Sequence, residues 1–430
     1  MDLEIEIPFG KEKVTLDIQQ ENILALACPK DPPQVGEVAD KIREALWNPV
    51  DGRGLRYYAS PSKKVVLITD DYTRPTPVHE IAPVLLDELN AVGVTDRNIQ
   101  LIIAGGPHRE MTAEEIRNKV GGETADRVRI LQHDARDSKN LVDVGKTSRG
   151  NTVWLNKVVW QADLRIGIGM ITSHFLKGYG GGPSIILPGA CGVETIKFNH
   201  GTLAVDPKAW VGIRHGNPCW EDVAESARLA KLEVKIDVVL NSRNQIVQGF
   251  SGNPVEAQTE GVHLFDEIYG LRIPERAEIV ITSAEPTSAY MDQCLKACLH
   301  ATIAAKEGGT RIVLGYCEEG LGPEYVRQLW IDSLSRKPWP TPEEYLQEMR
   351  AGKYENVADA VGIYKLLQFN KSELILVSKG LSDKEADRIG IRKSRSLEAA
   401  LDLALKKHGK KAKITIIPQG AVSRPIVEND

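Results

Sequence analysis

With 430 residues, 54 basic and 59 acidic side chains and a net charge of −5, the chain is too long for one ordinary core and too evenly charged to coat a nucleic-acid backbone. No apolar run approaches the roughly 20 residues of a membrane span, and the opening MDLEIEIPFGKEKVTLDI lacks the basic-then-apolar plan of a secretory signal. Six scattered cysteines, none in C-x-x-C, argue for reduced thiols rather than a disulfide framework, so a cytoplasmic globular protein of two or three domains is expected.

In chain order, LEIEIPF and KVTLDI read as a hairpin turning at GKEK. Four β-rich runs follow: KVVLITD (64–70), IQLIIAGG (99–106), VRILQHD (128–134) and DLRIGIGMI (163–171). Helical stretches such as VHEIAPVLLDELNAVG and TAEEIRNKVGG separate them, and Thr112 with Glu115 is a capping-box pair that marks a helix start. Near-continuous apolar strands alternating with helices predict a parallel sheet covered on both faces. LEVKIDVVLNSRNQIVQGF reads as a further hairpin, and YGLRIPERAE (269–278) as a polar boundary. Beyond it AEIVITS (277–283), TRIVLGYC (310–317) and ELILVSKG (373–380) form a second α/β series. KITIIPQG (413–420) is expected either to complete that second sheet or to return to the first domain. The expected architecture is two α/β domains with mainly parallel sheets and an interdomain active-site cleft, divided as residues 1–272 and 273–430.

Ligands of open parallel sheets gather beyond the carboxyl ends of the strands, and four such ends carry polar or ionisable groups here. Asp71 and Arg74 follow the first run, His108 and Arg109 the second; His133 and Asp134 close the third, and His174 follows the fourth. Each has a plain alternative. Asp71 is also a turn cap before Pro75, Arg74 a surface ion-pair partner, and His133 a structural histidine oriented by Asp134. Together they favour one cleft lined by histidines, a carboxylate and arginines. The G-x-G in IGIGMITS lacks the third glycine and the helix of a dinucleotide fingerprint. TSHFLKGYGGGPSIILPG (172–189) has glycines that let backbone approach a ligand, yet it lacks the lysine and Ser/Thr of a Walker A loop. In the second series MDQCLKACLHATIAAKEGG is helical, with Gln293 and Lys296 on one face.

DYTRPTP, GGPHREMT, QHDA, HFLKGYGGGPSIILPG, TIKFNH and GNPCWEDVAE, in that order, resemble the lactate racemase family, over nearly the whole chain. DQCLK is similar to the start of the substrate-contacting helix of that family. The resemblance implies a racemase or epimerase of a small-molecule 2-hydroxy acid that uses a nickel-pincer nucleotide, a pyridinium mononucleotide holding nickel through carbon and sulfur, supplied by cofactor-synthesis enzymes. Removing a proton beside a carboxylate would leave an adverse dianion, whereas removing hydride gives a planar 2-oxo acid that takes hydride back on either face. The two stereoisomers present their hydroxyl to opposite sides, so two bases are needed, and the resemblance implies His108 and His174. It implies Arg74, Gln293 and Lys296 as substrate-binding groups and His200 as the nickel ligand. Asp71, Gly181, Gly182 and Ser184 would border the cofactor, and a homo-oligomer is open.

Two departures from the family pattern matter. Family members read SGGRK through the glycine loop, where the lysine is bonded to the thiocarboxyl group of the cofactor; here the stretch reads GGGPS, with Ser184 in the lysine's place. A hydroxyl cannot form the amide-type linkage, and neither Lys177 nor Lys197 is an obvious substitute. Either the cofactor is held noncovalently or it is lost; the rest of the constellation, being intact, favours retention. Secondly, Asp292 replaces a family tyrosine, and YENVADAVGIYKLL offers no tryptophan, Ala358 being nearest to its place. That favours a substrate larger or more polar than lactate, such as a sugar acid. Two other readings stand beside this one: a cofactor-free or differently metallated isomerase or lyase, and a noncatalytic cofactor-binding protein.

Overall fold

The structure, a computed structural model, describes residues 2–34, 36–354 and 357–428. It divides into two compact units, residues 31–268 and residues 1–30 with 269–430.

The unit of residues 31–268 is built on a six-stranded sheet in the order Ile246–Gly252, Val234–Leu240, Leu164–Met170, Val65–Thr69, Ile99–Ile103, Arg129–Gln132. All neighbours are parallel except the edge hairpin of Val234–Leu240 with Ile246–Gly252. Val65–Thr69 is buried at every position, as befits a central strand covered on both faces. Alternation divides its side chains: Val65 and Leu67 join one core with the helices Val38–Trp47 and Val78–Ala91, while Val66 and Ile68 join another with Ile185, Leu187 and Val223. The helix Ala113–Val120 starts at Thr112 with both halves of its capping box formed. From Val65–Thr69 the chain winds outward through Ile99–Ile103 to Arg129–Gln132, then returns to the other side with Leu164–Met170. The carboxyl ends of Val65–Thr69 and Leu164–Met170 therefore flank the switch point, where a crevice opens in such sheets.

The other unit holds a wholly parallel sheet in the order Arg392–Ser394, Glu373–Val377, Ala305–Leu314, Ala277–Ser283, Ile414–Ile417, Ile23–Leu26. Ile414–Ile417 thus completes this sheet. The division at residues 1–272 and 273–430 needs correction, because the first thirty residues belong to the second unit. Ile23–Leu26 pairs with Ile414–Ile417. The hairpin Asp2–Phe9/Glu12–Gln19 lays Ile5, Ile7, Phe9, Leu16 and Ile18 on the core of Ile279, Ile281, Ile312 and Ile375. An alternating hairpin has one apolar face to bury, and that core takes it. Five of the six cysteines are buried and Cys28 is exposed; all are free. No helix among the described residues is long and apolar enough to cross a membrane.

Candidate functional site

The loop after Val65–Thr69 is fixed before any ligand arrives. Lys119 Nζ bonds the Arg74 carbonyl and pairs with Asp70, each at 2.7 Å. Asp71 does two things at once. Its Oδ1 accepts from Thr73 N at 3.1 Å and Thr73 Oγ1 at 2.6 Å, capping the turn, while Oδ2 stands 2.7 Å from His108 Nδ1. Burial would raise the Asp71 carboxyl, but the bonds from His108 and Thr73 outweigh it and hold the group below its usual range. With Asp71 accepting at Nδ1, the neutral His108 ring keeps its lone pair on Nε2. The His108 side chain is 42% exposed above a carboxylate that is 4% exposed, an accessible base on a buried orienting group. Arg74 donates to the Thr73 carbonyl at 3.1 Å, and no carboxylate among the described residues pairs with its guanidinium.

After Leu164–Met170 the chain makes a small hairpin, Ser173–His174 against Gly178–Tyr179. The Leu176 N–H donates to His174 Nδ1 at 3.2 Å, so the neutral ring carries its proton on Nε2, the opposite state to His108. The His174 ring stacks on Phe175 and meets the His200 ring edge-on, centroids 6.0 Å apart at 88°. Next come Gly181 and Gly182 at φ +80° and +52°; a Cβ on Gly182 would lie 2.7 Å from Gln258 Cβ and 2.8 Å from the Pro254 carbonyl. Gly182 N–H donates to Asp237 Oδ2 at 2.6 Å. Gln258 Nε2 donates to the Gly180 carbonyl at 3.0 Å and receives Trp220 Nε1 on its Oε1 at 2.9 Å.

Asp237 and Lys235 form a buried ion pair at 2.6 Å, lying beside Gly169 and Gly167 in the parallel ladder. A Cβ at Gly169 would stand 2.8 Å from Lys235 Nζ. The G-x-G is therefore room for an ion pair beneath the loop, not a dinucleotide fingerprint. Sequence reasoning did not single out Lys235, Asp237 or Gln258. The available signal was K-x-D inside the apolar strand VKIDVV, two charges that share one face of a central strand.

His200 sits on a π-helical turn, Phe198–Leu203, a feature common at functional sites. Burial, with the Lys177 cation, pushes its imidazole down to about 3, which leaves a neutral nitrogen donor. His200 Nδ1 and Ser184 Oγ are both buried without a hydrogen-bond partner, an arrangement that costs about 1–3 kcal/mol apiece unless a ligand satisfies it. Among the described residues no group of three or more His, Cys, Asp or Glu could hold a metal unaided. A single buried, neutral and unpartnered imidazole fits a metal whose other ligands come with an organic cofactor.

Two other candidates in this unit fall outside this centre. His133 is structural, its Nε2 on the Cys191 carbonyl at 2.9 Å and its Nδ1 against Asn156 at 3.1 Å; Asp134 caps Arg136 instead of orienting it. Arg109 is engaged by both oxygens of Glu115, at 2.6 and 2.9 Å. In the other unit Gln293 and Lys296, both half-buried, lie on the helix Met291–Ala304, which follows Ala277–Ser283 at that sheet's own switch point. Asp292 accepts from Trp330 Nε1 at 3.1 Å, and burial pushes its carboxyl up. The side chain of Ala358 lies outside the described residues.

The chain matches the family model of the lactate racemase N-terminal domain over residues 9–212 and that of the lactate racemase C-terminal domain over residues 273–423. It is 30% identical over 421 residues to a lactate racemase of Thermoanaerobacterium thermosaccharolyticum, covering 97% of each chain. It is 29% identical over 426 residues to one of Lactiplantibacillus plantarum, covering 97% of this chain and 98% of that one. Its fold superposes on the lactate racemase apoprotein from T. thermosaccharolyticum with a TM-score of 0.90 at 28% identity, over 99% of this chain and 100% of the other. A Thermotoga maritima protein, 17% identical with a TM-score of 0.65 over 93% of this chain and 100% of its own, shares the fold.

Proposed function

The chain belongs to the lactate racemase family, an isomerase of the racemase type acting on a lactate-like substrate, and from that premise we propose that it inverts C2 of a 2-hydroxy acid with an untethered nickel-pincer nucleotide. When bound, the cofactor supplies a reversible hydride acceptor. His200 would hold its nickel, and Gly181, Gly182 and Ser184 would line its organic part. Arg74 offers a planar fork that no carboxylate among the described residues claims, available to the substrate carboxylate. His108 takes the hydroxyl proton at Nε2, and Asp71 stabilises the imidazolium that results. For the opposite stereoisomer the same part falls to His174, which takes the hydroxyl proton as a neutral base and returns it as the imidazolium. The buried Asp71 carboxylate set against Nδ1 of the accessible His108 is the observation that carries the reading: it makes an oriented base whose protonated form has a counter-charge in place.

Gln293 and Lys296 enter the same proposal as substrate-binding groups, supported by the resemblance and by their place on the helix after Ala277–Ser283. A substrate larger or more polar than lactate is proposed from the tyrosine replaced at Asp292. Fast epimerisation of an aldonate beside slow turnover of lactate supports this, and the reverse ranking removes it. The proposed setting is the cytoplasm, alongside cofactor-synthesis enzymes. One observation favours a second reading, a cofactor-free isomerase or lyase or a noncatalytic binding protein: Ser184 where the tethering lysine should stand.

Native mass spectrometry with nickel analysis separates these readings, on protein produced together with the cofactor-synthesis enzymes. The expected result is a nickel-bearing mass of mononucleotide size that is lost on denaturation. Bare protein, with a lactate racemase loaded in the same host, would remove the nickel-pincer reading.

A further inference from the structure

Lys177 stands at the turn of the small hairpin that carries His174, and it is only 3% exposed. The backbone around it is fixed. Asn217 Nδ2 donates to the carbonyls of Leu176 and Ile213 at 2.9 and 2.8 Å, and Gly178, at φ +78°, packs so closely on Ile213 that a Cβ would overlap its carbonyl. Among the described residues no hydrogen bond and no carboxylate reaches the Lys177 amine. The cation that bears on it is Arg74, itself without a carboxylate partner, and Lys177 in turn bears on His200. Burial, reinforced by Arg74 and opposed more weakly by the Cys219 thiol, pushes the amine down to about 7. Structural lysines at this depth are paired, as Lys235 is with Asp237. A buried amine that feels a guanidinium and has no carboxylate partner is an arrangement that a bound anion completes.

We propose that Lys177 is an anion anchor of this site, its buried side chain pairing with a carboxyl-type anion: the free thiocarboxylate of an untethered cofactor or a second carboxylate of the substrate. The inference rests on the reading that the cofactor is bound without a covalent link. An amide to lysine would remove the charge of the thiocarboxyl group; without the link that group keeps a negative charge. The Ser184 hydroxyl can donate one hydrogen bond to it but cannot neutralise it. The chain has no amine at position 184 and a buried one at 177, on the segment leading into the same glycine loop.

The test compares wild type, Lys177→Met and Lys177→Arg, produced with and without the cofactor-synthesis enzymes. After desalting, Lys177→Met is expected to carry at least tenfold less nickel-bearing mass than wild type, and Lys177→Arg to retain it. That outcome assigns the anion to the cofactor. If Lys177→Met keeps the mass but its calorimetric affinity for malate falls tenfold or more while that for lactate does not, the anion is the substrate's second carboxylate. Retention of the mass and of both affinities overturns the proposal. So does a Lys177→Met apoprotein less stable than wild type, because an uncompensated buried amine should burden the apoprotein. A mass that survives denaturation in wild type and vanishes in Lys177→Met also overturns it, making Lys177 a covalent tether instead. Bare wild type beside a loaded lactate racemase control removes the underlying cofactor reading itself, which distinguishes that failure from a failure of Lys177.

Discussion

Asp71 shows how one side chain reconciles two readings of the sequence. Before Pro75 an aspartate suggests a turn cap; at the end of a central strand it suggests an active-site carboxylate, and its two oxygens serve one role each. That division makes a sharp substitution. Asp71→Asn keeps an oxygen for Thr73 but cannot hold an imidazolium, so kcat should fall roughly 10²-fold or more with little change in folding. His108→Ala and His174→Ala should each abolish racemisation in both directions while leaving nickel content unchanged. Initial rates from each enantiomer, beside nickel analysis, check all three; undiminished turnover in either histidine variant would remove it from the reaction. His133 marks the limit of such reading. It has the same position at a strand end as His108, yet Asn156 and the Cys191 carbonyl take both its nitrogens, and neither partner is near it in sequence.

At the scale of elements, the strands and the helix beginning at Thr112 were legible because apolar runs and a capping box are local signals. What pins the glycine loop was not. Asp237 reaches Gly182 across 55 residues of chain, and Gln258 reaches Gly180 across 78. Only the folded sheet brings Lys235 and Asp237 under the loop. The helix Met291–Ala304 carries a second hidden feature, His300, which is 1% exposed, with its Nδ1 on the Gly420 carbonyl at 2.8 Å. Burial pushes this imidazole down to about 4. A folded value below the free one means that the unfolded chain binds the proton first as pH falls. Stability is therefore complete above the ordinary histidine range near 6.5 and is lost as pH drops towards 4, by about 3 kcal/mol in all. His300→Gln should flatten that loss in the unit containing residues 269–430. Urea midpoints of both proteins at several values between pH 7 and 4 would show it, and parallel curves would count against the assignment.

For the molecule as a whole, the sequence misleads about where the first thirty residues belong. A polar stretch at 269–278 looks like the only seam, and the structure does divide the chain at 268/269. Yet Ile23 pairs with Ile414, and partners so distant in sequence leave no local trace. The hairpin Asp2–Phe9/Glu12–Gln19 places five large apolar side chains on the second core. At about 1.5–3 kcal/mol for each buried side chain, their contribution is on the order of 10 kcal/mol, comparable with the whole stability of an ordinary domain. Residues 269–430 without residues 1–30 should therefore lack a cooperative unfolding transition, whereas residues 31–268, whose cores are drawn from their own segment, should melt as one. Adding a peptide of residues 1–30 to residues 269–430 should restore the transition, followed by circular dichroism on heating. A sharp transition in residues 269–430 alone would mean that the amino-terminal hairpin and strand decorate that unit instead of completing it.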